Sequence, residues 1–227
     1  MRSSIAALLQ TGVSVILPRD PFQRILFAFF LVFLAASCVQ PPYQQFLLMQ
    51  HVPTILVAVA VCWLANRYPM SRFSFLLIIV FLCLHTLGAR HLYSYTPYDD
   101  WSMALFGINI TQTFGFSRNH YDRLVHFSYG LLLVVPVQEI ERRTLRLSLF
   151  ASSLLAIEFI LATSAAYELL EWFVAAVFTP TWAESFLGQQ GDIFDAQKDT
   201  ALATLGATIS VSITCGVAHR STSKQST

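Results

Sequence analysis

The chain has 227 residues, of which 55% are hydrophobic and 12% charged, with a mean hydropathy of +0.57 and a formal net charge of +1. An ordinary soluble domain carries about 25% charged residues, so this composition excludes a soluble enzyme and a disordered chain. The near-neutral balance likewise excludes a nucleic-acid binder. What remains is an all-α, polytopic membrane helix bundle with the lipid bilayer as its solvent.

A spanning helix needs about 20 predominantly apolar residues. The first apolar run, residues 5–17, is stopped by Pro18-Arg19-Asp20-Pro21 before it reaches that length. Residues 1–21 therefore read as a cytoplasmic or interfacial segment. Six apolar segments follow, at roughly 22–39, 47–65, 73–93, 123–138, 148–175 and 196–218. They predict one transmembrane domain of about six helices over 22–218, followed by a solvated cytoplasmic tail at 219–227. Cys38, Cys62, Cys83 and Cys215 fall in apolar stretches without metal-ligand spacing and read as small hydrophobes.

Lys and Arg set the orientation. One side of the predicted topology holds Arg2, Arg19, Arg24, Arg67, Arg72, Arg142, Arg143, Arg146, Arg220 and Lys224. The other holds Arg90, Arg118, Arg123 and Lys198, so the split is ten to four. The richer side is expected to be cytoplasmic, with both termini inside and the 94–120 and 176–195 loops outside a bacterial inner membrane.

The acids are not scattered. Asp20, Glu139 and Glu141 lie among cytoplasmic arginines and read as solvated, and Glu158 falls near the middle of the fifth span. Asp99, Asp100, Asp122, Glu168, Glu171, Glu184, Asp192, Asp195 and Asp199 all fall outside or in the outer half of the membrane. Asp122 and His126 share a face at the start of the fourth helix, since residues four apart are neighbours on a helix. Glu168 and Glu171 lie three apart near the end of the fifth helix. Asp192, Asp195 and Asp199 form a stripe where the sixth begins. Charges within a membrane are expensive and turn inward toward partners, so these three stripes predict one polar cluster.

Six carboxylates, Asp122, Glu168, Glu171, Asp192, Asp195 and Asp199, face the four cations Arg90, Arg118, Arg123 and Lys198 in that reading. The deficit calls for a divalent cation, a protonated carboxylate or an imidazolium at His126. Asp122, His126, Glu168, Asp192, Asp195 and Asp199 are the candidate metal ligands. Oxygen donors favour Mg²⁺, Ca²⁺ or Mn²⁺, and an imidazole adds Zn²⁺. Glu168, Glu171 and His126 are the candidate catalytic groups. Arg118, Arg123, Lys198 and Gln190 are the candidate substrate contacts. Tyr93, Tyr95, Tyr98, Trp101, Trp172 and Trp182 read as an aromatic belt, His85 and His91 as buried and hydrogen-bonded, and the first two spans as scaffold.

At His85-Thr86-Leu87-Gly88-Ala89, Arg118-Asn119-His120-Tyr121-Asp122-Arg123 with His126, Tyr167-Glu168-Leu169-Leu170-Glu171-Trp172, and Gln190-Gly191-Asp192 with Asp195 and Asp199, the chain resembles the YjdF-like bacterial inner-membrane proteins. The resemblance implies a multi-pass inner-membrane protein and no particular reaction. A looser likeness, from Asp122 to Phe127 and the later acidic pair, is to VanZ-like proteins, and it implies cell-envelope biology.

Three functions fit these residues. The first is a metal-assisted membrane enzyme acting on a lipid or lipid-linked headgroup. The second is a non-catalytic envelope accessory or binding protein. The third is a proton- or cation-coupled transporter, whose relay should continue inward through Glu158.

Overall fold

A computed structural model describes residues 17–68, 70–178 and 189–225. Most of the segment expected to lie at the interface, and half of the 176–195 loop, fall outside those residues. The described chain is helical: α1 (Pro21–Ser37), a single 3₁₀ turn at Gln44–Phe46, α2 (Leu47–Arg67), α3 (Arg72–Arg90), the short α4 (Tyr98–Phe106) and α5 (Ile110–Phe114), then α6 (Tyr121–Leu145), α7 (Leu149–Phe178) and α8 (Asp195–Gln225). The six long helices sit where the six apolar segments predict them. Helix α8 continues to Gln225, through most of the segment read as a tail.

Length and apolar composition suffice for crossing a membrane in α2 with its leading 3₁₀ turn, α3, α7 and α8 up to Ala218. Helix α1 is apolar but has only 17 residues. Helix α6 is long, but Asp122, Arg123, Glu139, Glu141, Arg142 and Arg143 all lie on it. The outer faces confirm the solvent: Ile25, Val32, Leu48, Leu56 and Phe150 are each 65–76% exposed. Water would not tolerate so continuous an apolar surface; hydrocarbon does.

Local chemistry sets the helix ends. Asp20 accepts hydrogen bonds from the backbone N–H groups of Phe22 and Gln23, with Pro21 in the first turn, where its missing N–H goes unused. Arg90, at the end of α3, donates to the carbonyls of Ser37, Val39 and Gln40, and so satisfies the terminus of α1. Sequence reasoning counted Arg90 among the cations of the acidic cluster; the structure commits it elsewhere. Glu139 is not simply solvated either. Its carboxylate accepts from Ser71 N–H, Ser71 Oγ and Ser74 Oγ at the start of α3, and Arg143 pairs with it at 2.6 Å.

Helix α6 is the centre of the bundle and packs on α3, α7 and α8. Helix α1 packs on α3, and so does α2. One core joins Phe27 and Phe30 of α1, Cys62 of α2 and Phe75 and Leu82 of α3. A second joins Val134, Ala156, Ile160, Ala203 and Ala207 from α6, α7 and α8. The α6–α8 seam is the tightest contact. A Cβ on Gly130 would overlap the Ala203 carbonyl oxygen and come 2.7 Å from Ala207 N. A Cβ on Gly206 would overlap the Phe127 carbonyl oxygen and come 2.9 Å from Leu131 N. Small residues let helix backbones approach in a membrane, where packing rather than water drives association. The two helices run parallel, so Asp122, His126 and Gly130 on α6 lie level with Asp195, Asp199 and Ala203 on α8.

This seam predicts a contrast between two glycines of α8 and α6. Gly130→Ala should destabilise the detergent-solubilised protein by about 1–3 kcal/mol, the usual cost of overpacking. Gly216, whose added Cβ meets nothing within 4 Å, should be neutral or gain up to about 1 kcal/mol as Ala. Thermal unfolding of the two variants checks both.

Candidate functional site

The N-terminal ends of α6 and α8 and the C-terminal part of α7 bring the three acidic stripes together. Arg118 reaches Asp122 at 3.0 Å and Asp195 at 2.6 Å through the same Nη2. Arg123 pairs with Asp192 at 2.9 Å and Asp195 at 2.7 Å, and its Nε lies 3.3 Å from Asp199. Lys198 closes on Asp192 at 2.6 Å. His126 Nε2 lies 3.3 Å from Glu168 Oε1. Gln190 holds the backbone of Asn119 from both sides: its Oε1 accepts from Asn119 N–H, and its Nε2 donates to the Asn119 carbonyl. All four residues read as substrate contacts, Arg118, Arg123, Lys198 and Gln190, are therefore engaged with partners inside the protein.

With Arg90 committed elsewhere, six carboxylates face three cations here, and two carboxylate oxygens carry the imbalance. Among the described residues, the buried atoms Glu168 Oε1 and Asp199 Oδ1 make no well-aligned hydrogen bond; each has only a 3.3 Å contact, with His126 Nε2 and Arg123 Nε respectively. Asp199 as a whole is 3% exposed. An unsatisfied buried polar atom costs about 1–3 kcal/mol, more if charged, so such a pair calls for a ligand.

Donor atoms of His126, Glu168 and Asp199 all lie within 4.8 Å of one another, and so do those of Asp122, Asp195 and Asp199. The second set is already held by two guanidinium groups, whose charge opposes a cation. The first set meets a guanidinium only at Asp199, through Arg123 Nε at 3.3 Å, and mixes one imidazole with two carboxylates, a donor set suited to Zn²⁺ or Mn²⁺. Asp192 sits at the rim, outside both sets. The Lys198 ammonium beside it holds its carboxyl well below the ordinary range, at about 2, with Arg123 contributing.

A second polar chain was missed by sequence reasoning. Thr54 Oγ1 donates to the Gln50 carbonyl, so His85 Nε2 is the donor to Thr54 Oγ1, at 2.8 Å. His85 Nδ1 then accepts from the Tyr93 hydroxyl at 2.5 Å. The Tyr93 hydroxyl also neighbours that of Tyr167, which in turn neighbours Glu171. Tyr93 thus belongs to the interior and not to an aromatic belt, and the second span contributes more than scaffold.

Two consecutive left-handed residues, Leu92 (φ 51°) and Tyr93 (φ 53°), make this placement. For residues with side chains, such backbone costs on the order of 1–3 kcal/mol and persists only where the surroundings enforce it. The turn lays the Tyr93 ring across Gly88, where a Cβ would come 2.5 Å from its Cε1. One signal was available in the sequence: Gln50, His51 and Thr54 cluster on one face of an otherwise apolar helix. The expectation for His85 holds, since it is buried and hydrogen-bonded, whereas His91 is half-buried and its ring lies edge-on to Trp101 at 5.9 Å. Glu158, placed at mid-span by the sequence, is turned to the outer face of α7.

Both polar groups face one cavity of about 580 Å³. Its polar end holds Asp122, His126, Glu171, Asp195 and Asp199; its far end is lined by Leu64, Leu133, Pro136 and Ile140.

Residues 22–220 match the protein family described as "Predicted membrane protein (DUF2238)". The chain is also similar to a protein of Escherichia coli (strain K12) named "Inner membrane protein YjdF", with 33% identity over 169 residues, covering 72% of this chain and 75% of that one. No solved structure matches the chain.

Two outcomes follow from this geometry. Gly88→Ala should displace the Tyr93 ring and destabilise by about 1–3 kcal/mol, read as a lowered melting temperature. Asp192 has a depressed folded-state pKa, so its ion pair contributes above the unfolded carboxylate value and is lost as pH falls from about 4 toward 2. Asp192→Asn should therefore lower the melting temperature at pH 7, and the difference from wild type should vanish near pH 2.

Proposed function

As the chain belongs to the DUF2238 family of membrane proteins and is an inner-membrane protein, we propose that it is a metal-assisted enzyme acting on the headgroup of a lipid or lipid-linked substrate. One observation carries this reading: donor atoms of His126, Glu168 and Asp199 converge within 4.8 Å, and His126 and Asp199 line the polar end of a largely apolar cavity. A divalent cation there would polarise a phosphoryl or carbonyl oxygen. Glu168 or Glu171, at the same end of α7, is the group that exchanges a proton with the substrate. Arg118 and Arg123 hold Asp122 and Asp195 in place and keep the ligand carboxylates close. The ten-to-four split of Lys and Arg puts both termini in the cytoplasm and the acidic end toward the periplasm.

A transporter is disfavoured. A relay needs ionisable groups continuing along the cavity, yet its described lining beyond Tyr129 on α6 is Leu133, Pro136, Val137 and Ile140. Glu158 is turned outward.

A cation bound only by the folded state stabilises it by about 2.7 kcal/mol at a hundredfold excess over Kd. Purified protein should contain stoichiometric metal, melt lower after chelation and recover when Zn²⁺ or Mn²⁺ returns. His126→Ala and Asp199→Asn should lose that response, and Glu158→Gln should keep it. Wild-type protein that holds no metal and ignores chelators would leave an internally neutralised ion-pair network, and the accessory-protein reading would replace the enzyme.

A further inference from the structure

We infer that the cavity is a lateral binding site for one alkyl chain of a membrane lipid, entered from the bilayer between α2 and α7. The inference deepens the reading above by naming how the substrate is held, and it stands on the cavity whether or not a metal binds.

Five helices line the cavity: α2, α3, α6 and α7 along its length, and α8 at the polar end through Asp195 and Asp199. Helix α2 packs on α3, α3 on α6, and α6 on α7; among the described residues the α2 region meets α7 at one end, where Phe46 and Met49 pack with Leu92, Val174 and Ala175, and no seam follows along the rest of the two helices. The wall is therefore incomplete on one side. The lining residues report the same gap. Leu56 and Val57 of α2 are 65% and 47% exposed, and Phe159 and Leu170 of α7 are 47% and 46% exposed, yet all four line the cavity. Residues on the opposite wall, Ile78 and Leu82 of α3, are 6% and 2% exposed. The cavity thus communicates with the outside through the α2–α7 gap, at the level of the apolar helix surfaces and hence with hydrocarbon.

Dimensions select the occupant. On α6 the lining runs from Asp122 to Ile140, which at about 1.5 Å per residue is about 27 Å and close to the thickness of about 30 Å of a bilayer core. A volume of about 580 Å³ open to the centres of water-sized molecules, spread over that length, leaves a passage about 8 Å wide between its walls, still narrower than a helix with its side chains, at about 10–12 Å. A single extended hydrocarbon chain fits; a helix from a partner or a second copy does not. Polarity orients the chain, because the carboxylates, His126 and the Tyr93–Tyr167 pair are confined to one end. The headgroup meets the polar groups there while the chain lies along Val57, Leu82 and Leu133.

The full chain, reconstituted in vesicles of phosphatidylethanolamine and phosphatidylglycerol carrying a photoactivatable diazirine on an acyl chain, tests this. On irradiation, peptide mapping should find label on Ile78, Leu82 and Leu133, which annular lipid does not reach. Val57→Trp, a bulky change at an exposed position in the gap, should reduce that interior label at least fivefold while leaving label on outward residues such as Leu155 unchanged. Asp199→Asn should keep the interior label, so failure of the metal reading would be seen separately from failure of this one. Label confined to outward residues, or interior label unaffected by Val57→Trp, would overturn the lateral site. Protein–protein cross-links across the α2–α7 gap in place of lipid adducts would overturn it as well, in favour of a second copy.

Discussion

The site depends on how closely α6 approaches α8. Gly130 and Gly206 remove the two side chains that would hold these helices apart, each lying against the backbone of the other helix. Because the helices run parallel, the approach brings Asp122 beside Asp195 and His126 beside Asp199. An ordinary interaxial distance of about 8–10 Å would leave these groups as separate interfacial charges. Close backbone packing is favourable in lipid because it needs no expulsion of water. It also imposes a difficulty, since like charges are drawn together in a region of low dielectric.

Arg118 and Arg123 answer that difficulty only in part. Asp195 receives both guanidinium groups, Asp122 receives one, and Asp192 is shared between Arg123 and Lys198. Breaking a buried pair by removing one partner typically costs about 3–5 kcal/mol, because a charge is left uncompensated. The arginines are therefore structural necessities of the acidic end before they are anything else. What they leave over falls on Glu168, beside His126, and on Asp199, which meets Arg123 only at 3.3 Å and lines the cavity. The same imbalance that makes the cluster expensive is what a bound cation would relieve.

The opposite wall is built on a different principle. The strained turn at Leu92 and Tyr93, the bare Cα of Gly88 and the Thr54–His85 hydrogen bond together fix one phenol in the interior. Through Tyr167 it joins the polar groups of α3 to Glu171 on α7. The cavity thus has a polar end made by helices from both halves of the chain, and an apolar remainder made by the same helices farther along. That gradient matches an amphiphile aligned with the bilayer.

Sequence alone determined the class and much of the cluster. Composition excluded water as the solvent, the apolar segments located the six long helices, and helical spacing put Asp122 with His126 and Asp195 with Asp199 on shared faces. These inferences succeed because burial and helical periodicity are local properties. Only the tertiary structure decided which cations reach which acids. Arg90 is a few residues from the site in sequence but is spent on the carbonyls ending α1, and Glu139 anchors α3 when composition read it as solvated. The Thr54–His85–Tyr93 chain was likewise invisible, since it joins two helices and a turn whose meeting depends on Gly88 and on left-handed backbone that no periodicity reveals. Whether a polar residue in a membrane becomes ligand, anchor or lining depends on what packs against it, and those contacts are made between helices, where the linear order of residues carries no distances.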